Sequence, residues 1–276
     1  FRRVTAEARS RSGVLLAAVD QEPAGICRLE GLVPAFPDTE SLRRVTAPDM
    51  RVLSRQVAAA AASMGVNLFL APIADVLDGD NVWLRGRTFS ADPHEIAQVV
   101  SAYVEGVQSG GVAATLKHFP GFRSMTGDPA TDPTAVSETP PDAIEAGLVP
   151  FRAAITAGVE LVMVGPAPIL GLDPDKAALR SAIVVEKLTG ELGFGGIVMA
   201  DDLDGQATLR GDSVEQAAVD ALRAGCDLLL LADIGDQLDR VAQAIADAAR
   251  SGAIRPEALE RSAQKVRDLA RRYGPR

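Results

Sequence analysis

The chain has 276 residues, 47% of them hydrophobic, enough to bury a sizeable core. Its formal net charge of −9 is spread along the chain, and such an acidic surface argues against a nucleic-acid partner, because phosphate binding needs a basic footprint. No apolar run is long enough to span a membrane, and Cys27 and Cys226 belong to no metal-spaced cluster, so free buried thiols are expected. The sequence opens at Phe1 with neither an initiator Met nor a signal-peptide pattern, which leaves room for a removed leader or first strand and leaves the compartment open.

Apolar strand candidates alternate with helical stretches along the chain. The strands are expected over 14–19, 66–71, 112–116, 161–164, 197–200 and 226–231. Helices are expected over 51–64, 93–107, 141–157, 182–192, 214–224, 234–250 and 256–273. Thr46 and Asp49 form a capping-box-like pair before the first of them. Strand-helix alternation with short connections predicts an α/β fold with a parallel sheet. The length suits one barrel domain over 1–276, of the (β/α)8 TIM type, since such barrels run to roughly 250 residues. Six clear strands imply that the barrel is irregular or lacks its first strand. An open doubly wound sheet is the alternative, disfavoured because no Gly-rich dinucleotide fingerprint follows a strand. The stretch 121–141 has no regular periodicity, and a loop of that length is usually functional.

The stretch 195–206, GGIVMADDLDGQ, drives a strand buried on both faces straight into Asp201 and Asp202. In a parallel barrel this is the carboxyl rim, where chemistry is kept. Asp20 ends the first strand, and Lys117 with His118 ends the third. Independent strands thus place ionisable groups at one end. A lone strand-end charge is ordinarily a turn cap; Asp20, Lys117, His118 and Asp201 together point to a site.

Three strings taken together resemble glycoside hydrolase family 3: Lys117-His118-Phe119-Pro120-Gly121, Asp201-Asp202-Leu203 after its apolar strand, and Val19-Asp20-Gln21-Glu22. Within the family the chain is most similar to single-domain bacterial β-N-acetylhexosaminidases. Asn67-Leu68-Phe69-Leu70-Ala71-Pro72, Gly86-Arg87-Thr88-Phe89 and Ala224-Gly225-Cys226-Asp227 also resemble family blocks, in the right order over nearly the whole chain. The resemblance implies that Asp201 is the nucleophile of a retaining mechanism, forming a covalent glycosyl-enzyme. It implies that Asp20, Arg28, Arg87, Lys117 and His118 hold the sugar in the first subsite. It further implies action on β-linked N-acetylglucosamine in cell-wall turnover, a carbohydrate partner such as an amino sugar or peptidoglycan fragment, and no metal or organic cofactor.

The family pattern fails at three places, most plainly in one loop. After the Lys-His-Phe-Pro-Gly string these enzymes continue with His-Gly-Asp and later Asp-Ser-His, whose last residue is the general acid/base. Here Phe122-Arg123-Ser124-Met125 follows, and the later segment is Thr131-Asp132-Pro133-Thr134. Asp132 matches the assisting carboxylate, but Thr134 stands where the His belongs, and a hydroxyl cannot shuttle protons near neutral pH. The two histidines are otherwise engaged: His118 in the sugar-holding string, His94 at a helix start. Asp128, Asp132 and Glu138 are the loop carboxyls that offer substitutes. Pro23-Ala24 replaces the family's Gly-Gly, and Gly165 stands where it often has His. Three further readings stay open: a catalytically impaired or inactive sugar-binding homologue on the same barrel, an aldolase-like site with Lys117 as a Schiff-base amine, and a metal held by the Asp201-Asp202 pair. The last is disfavoured because adjacent residues after a strand point apart.

Overall fold

A computed structural model describes residues 6–8, 10, 14–77, 81–88, 90–233, 235 and 237–274. Strands β1 (Ala18–Val19), β2 (Leu68–Phe69), β3 (Ala113–Phe119), β4 (Leu161–Val164), β5 (Ile197–Asp202) and β6 (Leu228–Leu230) pair in sequence order, all parallel. A doubly wound sheet would reverse its strand order at a switch point, and this one does not. The six strands among the described residues are two fewer than a complete eight-stranded barrel contains.

β1 and β2 are shorter than the expected 14–19 and 66–71, because a side chain replaces part of their ladder. The Asn67 amide accepts from Ala17 N–H at 2.7 Å and donates to Leu15 O at 2.8 Å. β3 is longer than expected and carries Lys117 and His118 inside the strand rather than after it.

The helices are α1 (Thr39–Leu42), α2 (Ala47–Ser63), α3 (Pro93–Ser109), α4 (Pro141–Gly147), α5 (Val149–Thr156), α6 (Ala182–Glu186), α7 (Gln206–Leu209), α8 (Val214–Ala224), α9 (Gln237–Arg250) and α10 (Pro256–Arg272). Thr46 caps α2 by accepting from Asp49 N–H, and Asp92 caps α3 by accepting from His94 N–H. The single helix expected over 141–157 divides at Leu148, two residues before Pro150, which has no amide hydrogen to continue the ladder. α6 continues as a π-helical turn over Lys187–Glu191. Positions 234 and 236, at the start expected for the helix 234–250, lie outside the described residues. α2 and α3 pack closely because Gly106 faces α2: a Cβ there would sit 2.5 Å from Arg51 O.

Alternate residues of each strand face opposite sides, as period two requires. Phe69, Ala114, Val162 and Val198 belong to the core under the helices. Leu68, Ala113, Leu161, Met163, Ile197 and Met199 form a second cluster that Leu269 of α10 joins. Both thiols are free, Cys226 buried and Cys27 only half-buried. No helix among the described residues is long and apolar enough to cross a membrane.

Candidate active site

At the carboxyl ends of the strands lies a cavity of about 230 Å³. Asp20, Arg28, Arg87, Lys117, His118 and Asp201 all line it, so the structure brings together six of the seven residues singled out from the sequence. Asp132 is not among its lining residues. Asp202 is, although residues adjacent on a strand were expected to point apart.

The reason is a register shift. From Leu116 to Phe119, β3 advances three residues while β4 advances two, Val162 to Val164. From Met199 to Asp202, β5 likewise advances three against two on β6, Leu228 to Leu230. An extra residue in one strand breaks the alternation locally and re-aims side chains. Lys117 and Asp201 follow the inward parity of Ala113 and Ile197. The shifts turn their neighbours, His118 and Asp202, toward the same cavity.

One wall is a charge cluster. Lys117 Nζ donates to Asp20 Oδ1 at 2.7 Å and forms an ion pair with Glu22 Oε1 at 2.9 Å. Arg87 donates to the same Glu22 carboxylate at 2.7 and 3.2 Å, and Ile26 N–H adds a backbone donor at 2.9 Å. Burial pushes the Glu22 carboxyl up, but Lys117, Arg87 and the Ile26 amide outweigh it and hold it at about 2. Gly25, at φ +96°, lets the chain turn tightly here, since a Cβ would lie 2.5 Å from Glu22 Oε2. That turn carries the Pro23-Ala24 departure. Lys117 is engaged with two carboxylates, which is not the geometry of a free Schiff-base amine.

His118 is fixed from behind. Asp75, fully buried, accepts from His118 Nδ1 at 2.8 Å, from the His118 amide at 3.0 Å and from Phe122 N–H at 2.7 Å. An acceptor at Nδ1 places the ring proton there and leaves Nε2 facing the cavity. Trp83 packs on the imidazole at 4.4 Å between centroids, and Phe122 meets Trp83 edge-on at 5.5 Å. Sequence reasoning assigned no role to Asp75, Trp83 or Glu22.

Opposite stands Asp201. Its Oδ1 accepts from the Asp202 amide at 2.8 Å, while Oδ2 is buried without a hydrogen-bond partner. The nearest cation-capable atom is His118 Nε2, 3.9 Å away. Burial first, then the carboxylates of Asp201, Asp204 and Asp20, push the Asp202 carboxyl up to about 7, with Lys117 pulling the other way.

The 121–141 loop reaches the cavity through Pro129 and Ala130. Their carbonyls accept from Ala207 N–H at 2.9 Å and Gln206 N–H at 3.2 Å, which pins the loop to α7. Asp132 Oδ1 accepts from both the Thr134 hydroxyl, at 2.7 Å, and the Thr134 amide, at 2.8 Å. The Thr134 hydroxyl and amide thereby lower the Asp132 carboxyl below its usual range. Asp128 and Glu138 are exposed and do not line the cavity either.

Gly165 and Phe122, two departures from the family string, account for each other. A Cβ at Gly165 would come within 2.1 Å of Phe122 Cε2. The Phe122 ring therefore fills the space a side chain at 165 would need. Gly165→Ala is expected to destabilise by about 1–3 kcal/mol through overpacking. Because Phe122 touches Trp83, the only tryptophan, denaturant unfolding followed by its emission should report both the loss and an altered native spectrum. Unchanged stability would remove this account of the pair.

The chain is similar to known proteins over nearly its whole length. The model of the glycosyl hydrolase family 3 N-terminal domain matches residues 2–269. A β-hexosaminidase of Xylella fastidiosa (strain 9a5c) is 34% identical over 240 residues, covering 83% of this chain and 71% of that protein. One from Nitrosomonas eutropha is 31% identical over 238 residues, covering 84% and 68%. Among solved structures, a family 3 β-N-acetylglucosaminidase from Paenibacillus sp. str. FPU-7 superposes with a TM-score of 0.91 at 28% identity, covering 99% of this chain but 53% of its own. A β-N-acetylhexosaminidase from Beutenbergia cavernae gives 0.83 at 29% identity, covering 99% and 83%. By the extent of the family match and the identity of these relatives, the chain belongs to glycosyl hydrolase family 3.

Proposed function

We propose that this chain, as one irregular (β/α)8-type barrel domain, is a retaining glycoside hydrolase for β-linked N-acetylglucosamine-type sugars, with Asp201 as its nucleophile. The observation that carries the reading is the bare Asp201 Oδ2. Buried polar atoms are rarely left without a partner, and an orphan aimed into a cavity is an atom kept for a ligand. The backbone amide on Oδ1 fixes the carboxylate's direction without using the reactive oxygen.

Asp20, Lys117, Arg28, Arg87 and His118 supply charged donors and acceptors for sugar hydroxyls. Such charge-assisted hydrogen bonds are roughly twice as strong as neutral ones and orient a neutral pyranose. With the ring held, Asp201 Oδ2 attacks C1 and the glycosidic bond breaks, giving a β-linked substrate an α-linked ester. Water then cleaves the ester with a second inversion. The test is a fluorinated N-acetylglucosaminyl donor with an activated leaving group, followed by peptide mass mapping. Sugar attached to Asp201, and a β-anomer as first product by NMR, are expected. A first product of α configuration, or label on another residue, contradicts the reading.

A second reading, sugar binding without turnover, is favoured by the Thr134 hydroxyl being consumed by Asp132. N-acetylglucosamine titrated against Trp83 emission measures binding. Saturable binding with no release from any aryl β-N-acetylglucosaminide supports this reading against the first.

A further inference from the structure

We propose that Asp202 is the general acid/base of this site, taking the role that the loop residue Thr134 cannot fill; this rests on Asp201 being the nucleophile. The geometry narrows the choice by elimination. The titratable groups lining the cavity are Asp20, Arg28, Arg87, Lys117, His118, Asp201 and Asp202. Asp20 is held by Lys117 and Arg87 by Glu22, while His118 presents its Nε2 3.9 Å from Asp201 Oδ2, beside the attacking oxygen. The Arg28 guanidinium serves as a hydrogen-bond donor only. Beyond Asp201, Pro129, Ala130, Gly205 and Leu230 line the cavity, and none has a side chain that donates a proton. Asp202 is what remains. Among the described residues its carboxyl enters no hydrogen bond or ion pair, and the β5 register shift turns it to the cavity beside Asp201.

Its surroundings suit the task. Asp201 on the same strand, Asp204 in the following turn and Asp20 from β1 all disfavour its ionisation, and Lys117 from β3 partly offsets them. A carboxyl poised near 7 is protonated often enough to give a proton and basic enough to take one back.

As Asp201 Oδ2 bonds to C1, the C1–O bond breaks with its electron pair moving to the departing oxygen. That oxygen takes the Asp202 proton, leaving Asp202 as carboxylate. Asp202 then removes a proton from water as the water oxygen bonds to C1. The ester bond's electron pair returns to Asp201, and Asp202 is again protonated.

The experiment compares Asp202→Asn with the intact chain on two aryl β-N-acetylglucosaminides, dinitrophenyl and phenyl. The acidic dinitrophenol leaves without a proton; phenol needs one. For Asp202→Asn, kcat/KM on the phenyl substrate should fall by about 10²- to 10⁴-fold, with the dinitrophenyl value nearly retained. The intact chain should lose phenyl activity as pH rises through about 7, and the variant should lack that limb. On the dinitrophenyl substrate Asp202→Asn should lose kcat, because hydrolysis of the glycosyl-enzyme lacks its base, and azide should restore that kcat and yield the β-glycosyl azide. Asp202→Glu, which keeps an acid, should recover part of the phenyl activity, and it carries the test if the amide variant folds poorly. Equal loss of kcat/KM on both substrates, a surviving alkaline limb, or no azide product overturns the assignment. So does an intact chain that is labelled at Asp201 yet never cleaves the phenyl substrate. Absence of label at Asp201 in the intact chain sinks the nucleophile instead, which keeps the two failures apart.

Discussion

Asp201→Asn is expected to lower turnover of dinitrophenyl β-N-acetylglucosaminide by about 10³-fold or more while sugar affinity changes only a few-fold. The amide is nearly isosteric, and its oxygen can still accept from the Asp202 amide that now binds Oδ1 at 2.8 Å. What disappears is the carboxylate oxygen at the unpartnered position, the proposed nucleophile. Binding, followed by the emission of Trp83 in the cavity wall, separates loss of chemistry from loss of the sugar. The change has a second readout. The Asp201 charge is, after burial, the largest cause raising the Asp202 carboxyl to about 7. Removing it should lower the Asp202 titration, measurable by carbon-detected NMR of labelled aspartate. Undiminished turnover in Asp201→Asn would end the glycosidase mechanism proposed for this chain.

The strands' order and the rim they build were legible because buried parallel strands read as short apolar runs, and the residues after them fall at one end. Asp20, Lys117 and Asp201 needed little more than that. Arg28 and Arg87 came from resemblance alone, since they sit on irregular segments without a period to place them. Asp75 and Trp83 were invisible for a related reason: their importance arises from contact with His118, and Asp75 lies 43 residues away in the chain. Asp202 was misjudged because strict alternation was assumed. An extra residue in β5 against β6 leaves no mark in composition, yet it decides which way the side chain faces. The short β1 and β2 show the same limit, because Asn67 replaces backbone pairing with a side chain. Glu22 carries no mark in the sequence beyond its place in the Val19-Asp20-Gln21-Glu22 string, and only folding shows it to be fully buried between two cations.

That burial makes Glu22 the most consequential charge outside the proposed Asp201–Asp202 pair. Glu22→Ala is expected to destabilise the fold by about 3–5 kcal/mol at neutral pH, because Lys117 and Arg87 would stay in a largely buried site with their shared acceptor gone. The sign of the pH dependence follows from the carboxyl's depression from 4.5 to about 2. A depressed acid stabilises the folded state fully above its unfolded value and loses that contribution as pH falls through the folded one. Linkage over that interval amounts to about 3 kcal/mol. The gap between the intact chain and the variant, measured by urea unfolding, should therefore be constant above roughly pH 5 and narrow by most of its size on approaching pH 2. A gap that persists unchanged into acid would mean that the loss comes from packing beside Gly25 and Arg87, not from charge. Sugar binding should weaken in the same variant, because Lys117 would keep only Asp20 as a partner and Arg87 would lose the carboxylate that orients it. The stability of the clamp and its grip on substrate thus hang on one buried carboxylate that itself never lines the cavity.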